Sequence, residues 1–99
     1  MERRLDQDLD RIRQSLLRMG GLVEDMVARA TRALLDRDRA LSEQVIESDG
    51  EVDQLEIEID EICHSVLGRK QPTAVDLRFL VAVMKINSDL ERIGDSAVN

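Results

Sequence analysis

The sequence predicts an all-α fold: an up-down-up three-helix bundle of long helices. Three observations carry this. Apolar residues recur in alternating steps of four and three along nearly the whole chain, the seam of helices that pack on other helices. The 99 residues include one proline and five glycines, so long stretches contain nothing that breaks a helix. The polar interruptions are short, and short turns between long helices make antiparallel neighbours.

The first helix is expected from about Leu5 to Leu35, on the seam Leu5, Leu9, Ile12, Leu16, Met19, Val23, Met26, Ala30 and Ala33. Gly20-Gly21 would ordinarily suggest a break. The seam keeps its phase across the pair, so one continuous helix with a thin point is expected. Asp36-Arg37-Asp38 reads as a polar turn. The second helix is expected from about Arg39 to Leu67, on the seam Leu41, Val45, Ser48, Val52, Leu55, Ile59, Ile62 and Val66. Gly68 suits the position just past its end. Arg69-Lys70-Gln71 reads as a basic turn, where positive charge favours a helix C-terminus. The third helix begins after Pro72, with Thr73 and Asp76 spaced as a capping pair. One of its seams is Phe79, Val83, Ile86, Leu90, Ile93 and Ala97. The other is Leu77, Val81, Met84, Ser88, Glu91 and Asp95. Two seams predict cover on two sides and make this the most buried helix of the bundle. Asn99 falls inside the helical pattern with no stop signal, so the chain reads as a fragment cut in its third helix.

Composition narrows the function classes. A formal net charge of −7 argues against nucleic acid, which needs a basic face, and disfavours an anionic membrane surface. No stretch approaches the roughly 20 apolar residues of a membrane span. The first residues lack the apolar core of a signal peptide. A single cysteine, Cys63, leaves no intramolecular disulfide and fits a reducing compartment, so a cytoplasmic protein is expected.

The most informative stretch is Asn87 to Asn99. It puts Glu91 and Asp95 one helical turn apart on a seam that is apolar a turn earlier. A half-buried charge without a partner is costly, so a cation or another chain must cover it. The second helix carries a matching stripe of Asp49, Asp53, Glu56 and Asp60 on one face. Clustered carboxylates are hard oxygen ligands suited to magnesium, calcium, manganese or iron. A solvated acidic face would also explain the second-helix stripe, since Glu47, Glu51, Glu58 and Glu61 surround it. Pairing the helices about a turn near Lys70 places Asp49 and Asp53 level with Ser88 to Arg92. Glu56 and Asp60 then fall level with Val81 to Lys85, and the rise per residue separates them from Glu91 and Asp95 by about 10–15 Å. On that register the two pairs do not share an ion. Glu61 and His64 have the Glu-x-x-His spacing of di-iron bundles but lie off the seam, and the motif occurs once. Cys63 reads as a small packed thiol. No glycine-rich phosphate loop or nucleophile–base pair is present, so a non-enzyme is expected.

The run Arg69-Lys70-Gln71-Pro72-Thr73-Ala74-Val75-Asp76-Leu77-Arg78, followed by Leu90-Glu91-Arg92-Ile93-Gly94-Asp95, resembles the PhoU family of phosphate-uptake regulators. The run from Val52 to Asp60 resembles the same family. The resemblance implies that residues 1–99 form a three-helix repeat, the N-terminal part of a longer two-repeat protein. It further implies a cytoplasmic, oligomeric, non-enzymatic negative regulator of phosphate uptake and phosphate-starvation signalling. The implied partners are the phosphate ABC transporter, a sensor histidine kinase and a second copy, as in a homodimer. It implies metal (iron, manganese or magnesium) at Glu56 with Asp60 and at Glu91 with Asp95. Asp49 and Asp53 are candidates by their place on the stripe. The alternative reading is a metal-free helical adaptor or oligomerisation module.

Overall fold

The computed structural model describes residues 4–69 and 73–98. They form three helices, α1 (Arg4–Asp36), α2 (Arg39–Arg69) and α3 (Ala74–Val98), and no strand is found among the described residues. The bundle measures 51 × 21 × 16 Å. Its long dimension is about that of a helix the length of α1 at 1.5 Å per residue, so the helices run the full length of the molecule.

The α1 seam is buried as its spacing requires. Leu5, Leu9, Ile12, Met19, Val23, Met26 and Ala33 are buried, and Leu16 and Ala30 partly so. Gly20 and Gly21 lie inside the unbroken helix. In α2, Val45, Val52, Ile59, Ile62 and Val66 form the buried line, with Cys63 fully packed beside them.

Local chemistry sets the ends. Arg37 adopts a left-handed backbone, φ 53°, just past α1. The amide of Asp38 returns to the Ala33 carbonyl at 3.0 Å, closing the last turn of α1. Asp38 then caps α2, its Oδ1 accepting from the Leu41 amide at 3.2 Å. Thr73 and Asp76 form a reciprocal capping box: the Thr73 amide donates to Asp76 Oδ2 at 3.0 Å and the Asp76 amide to Thr73 Oγ1 at 3.2 Å. The turn at its other end differs from expectation. α2 does not stop before Gly68 but continues to Arg69. Lys70 to Pro72, the rest of the expected basic turn, lie outside the described residues.

α3 also departs from the expected pattern. The core line of α3 coincides only in part with a predicted seam. The residues buried on α3 are Leu80, Val83, Asn87 and Gly94. Val83 belongs to the first predicted seam, whose Phe79, Leu90 and Ala97 pack partly buried against the core, while Leu80, Asn87 and Gly94 lie off both seams. Leu77 (41%), Val81 (62%), Ile86 (45%) and Ile93 (46%) stay substantially exposed on its flanks. α3 is therefore not the most buried helix. A single three-helix bundle presents one groove to its third helix, and only the strip facing that groove is covered. No helix among the described residues is long and apolar enough to cross a membrane.

Candidate metal centre

The carboxylates meet where α2 and α3 run side by side. On α2 the stripe advances in steps of four, three and four, next to the buried Val45–Val52–Ile59 line, so its residues look along the α2–α3 boundary. Helix α3 turns the buried Gly94 toward α2 and α1. A Cβ there would stand 3.5 Å from Asp49 Oδ1, 3.7 Å from Val52 Cγ1 and 3.8 Å from Met26 Cε. These are ordinary contact distances, so alanine would fit and anything longer would displace Asp49.

Two carboxylate groups result, each with ligand atoms mutually within 4.8 Å: Asp49, Asp53 and Asp95 in one, Asp53, Glu56 and Glu91 in the other. Asp53 joins them into a continuous five-carboxylate patch. Five of the six predicted residues are thus brought together. The sixth, Asp60, is not in either group; one of its oxygens accepts a hydrogen bond from Asn87 Nδ2 at 3.1 Å.

This arrangement corrects the register read from the sequence. Asp53 meets Glu91 rather than Ser88, and Asp49 meets Asp95 rather than Arg92. Glu56 accordingly shares a site with Glu91 instead of lying about 10–15 Å away along the bundle. The cause is the position of the turn. α2 runs to Arg69 and α3 starts at Ala74, so the pairing centre falls beyond Lys70 and every α2 residue meets α3 further along.

The patch strains its own charges. Burial pushes the Asp49 carboxyl above its usual range, reinforced by Asp53 and Asp95. Glu56 is raised by burial and then by Asp60, Asp53 and Asp95. Glu91 rises to about 7, chiefly through a hydrogen bond with Asp95, then through burial and the charges of Asp95, Glu56 and Asp53. Like charges this close favour either a shared proton or a cation. Asp49 Oδ1 is buried and has no hydrogen-bond partner among the described residues, an acceptor still in need of a positive group. An all-carboxylate donor set with an unsatisfied buried oxygen fits a hard cation such as magnesium, manganese or iron.

The other candidates stand apart. Cys63 is packed in the core, where burial and then Asp60 raise its thiol to about 11, so it is inert. His64 is exposed, its Nδ1 donating to the Asp60 carbonyl at 2.8 Å. Glu61 is exposed too, and the Glu-x-x-His pair makes no part of the patch. An open apolar groove of about 830 Å³, lined by Val27, Leu34, Ile46 and Ile93, lies by the α1–α2 turn, at the end of the bundle. Sequence reasoning missed Asn87 and the close approach at Gly94. For Asn87 a signal existed: it is a polar residue midway between two apolar seams.

An antiparallel three-helix bundle with an acidic α2–α3 boundary is the class these features define. The chain belongs to the PhoU domain family, whose pattern it matches over residues 16–99. It is 45% identical over 97 residues to the phosphate-specific transport system accessory protein PhoU homolog of Pseudomonas aeruginosa, covering 98% of this chain and 40% of that one. It is 41% identical over 90 residues to the phosphate-specific transport system accessory protein PhoU of Escherichia coli, covering 91% of this chain and 37% of that protein. The crystal structure of PhoU from Pseudomonas aeruginosa superposes with a TM-score of 0.92 at 46% identity, covering 96% of this chain and 46% of the other. The chain therefore spans less than half the length of these relatives.

Proposed function

We propose that this chain is the first three-helix repeat of a longer PhoU-type protein that restrains phosphate uptake and phosphate-starvation signalling. It acts by contact with the phosphate ABC transporter and its sensor histidine kinase in the cytoplasm, as a binding module and not a catalyst. Support comes from relatives whose names place them with the phosphate-specific transport system, at 45% and 41% identity over nearly the whole chain. The α2–α3 carboxylates, Asp49, Asp53, Glu56, Glu91 and Asp95, would hold divalent or ferric cations, with Asp60 at the edge of the patch. The observation that carries this reading is the partnerless, buried Asp49 Oδ1 inside a set of raised carboxyls.

Self-association belongs to the same proposal. Leu77, Val81, Ile86 and Ile93 leave apolar area exposed on both flanks of α3, and patches of more than a few hundred Å² on a soluble domain mark contact surfaces. The test is a pull-down with a protein containing both repeats, combined with metal analysis of the purified material. Co-purification of transporter and kinase components together with bound metal supports the proposal. A metal-free protein that captures both partners at full strength favours the plain helical adaptor.

A further inference from the structure

Asn87 is the one polar side chain fully buried among the described residues, 1% exposed on the core line of α3. Its Nδ2 donates twice: to the Glu56 carbonyl at 3.1 Å and to Asp60 Oδ1 at 3.1 Å. Both partners are acceptors, so they fix which end of the amide faces α2. The other end, Oδ1, is buried with no partner. Packing alone does not explain such a residue. A leucine would continue the Leu80–Val83 line and leave no stranded acceptor, whereas an amide half-satisfied in a core lowers stability.

What the amide achieves is geometric. It joins α3 to the Glu56–Asp60 turn of α2, the turn from which Glu56 reaches Asp53 and Glu91. Through the Glu56 carbonyl it fixes how far along α3 that turn sits. Through Asp60 Oδ1 it holds a carboxylate that lies close enough to Glu56 to push that carboxyl's titration upward. Groups that orient ligands from behind commonly change metal affinity by about 10–100-fold when lost.

We infer that Asn87 is a positioning residue of the carboxylate site, holding Asp60 and the Glu56 turn of α2 in the arrangement that receives a divalent cation. The inference rests on the cation reading of the site. It concerns affinity, not folding, and it predicts that Asn87 acts through both the Glu56 carbonyl and Asp60.

The experiment titrates manganese(II) into the 99-residue chain by calorimetry, for the unaltered protein, Asn87→Leu, Asp60→Asn and the double variant. Metal-free melting temperatures are measured alongside. The expected result is an Asn87→Leu protein that melts no lower without metal but binds manganese at least tenfold more weakly. The double variant should lose less than the sum of the two single losses, because part of the effect of Asn87 passes through Asp60. Equal affinity of Asn87→Leu and the unaltered chain overturns the inference, as does full additivity of the two changes. Should the leucine variant lose its helical signal, Asn87→Ala, smaller and unable to donate, takes its place in the same cycle. If the unaltered chain binds no manganese, the cation reading itself fails and this inference falls with it.

Discussion

At the residue scale, the chemistry is concentrated in Glu91. A hydrogen bond with Asp95 in a crowded acidic patch pushes its carboxyl up from an ordinary 4.5 to about 7. The folded state therefore holds a proton that the unfolded chain releases earlier. That stability is fully present below pH 4.5 and disappears as the pH rises through about 7. The metal-free protein should melt progressively lower between those limits, and Glu91→Gln should flatten the slope, as a series of thermal melts from acid to neutral pH would reveal. Asp49 and Glu56, also raised, add to the trend in the same direction. The stripe itself was readable because carboxylates at helical spacing share a face whatever the tertiary structure. Asp60 was read as equivalent to its neighbours. Only the packing shows it turned to Asn87 instead.

At the element scale, helix existence and ends follow from local rules, and helix pairing does not. The α1 seam survives the Gly20-Gly21 pair because the phase of the apolar residues is set by the whole helix, and two unfavourable positions do not shift it. The Thr73–Asp76 box is likewise a local feature, visible in the spacing alone. Thr73→Ala should cost about 1 kcal/mol, since it removes the cap hydroxyl that accepts from the Asp76 amide. Chemical denaturation with an unchanged slope would measure that loss. For α3 periodicity misleads. With apolar residues on both flanks, a seam search captures Val83 but also the exposed Ile86 and Ile93, while the core line continues through Asn87 and Gly94, which a hydrophobicity pattern scores as gaps. The observed α2–α3 register differs from the expected one because a shift of less than one turn depends on the true end of α2 at Arg69, past the glycine expected to close it.

At the scale of the whole molecule, two unfinished surfaces remain, one apolar and one acidic. Exposed Leu77, Val81, Ile86 and Ile93 predict that the chain self-associates, and sedimentation equilibrium at rising concentration should show mass above 11.2 kDa. A monomer throughout would mean that these flanks stay solvated. The acidic surface is where a cation would bind, and thermodynamic linkage reads such binding, because a ligand that binds only the folded state raises its stability with concentration. The measurement is the melting temperature against added manganese for the unaltered chain, for Glu91→Gln with Asp95→Asn, and for Glu58→Gln with Glu61→Gln as an off-site control. The melting temperature should rise with metal in the unaltered chain and the control, and not in the Glu91/Asp95 variant. A Glu91/Asp95 variant that keeps the full metal-induced rise would contradict cation binding there and leave the patch a solvated acidic face.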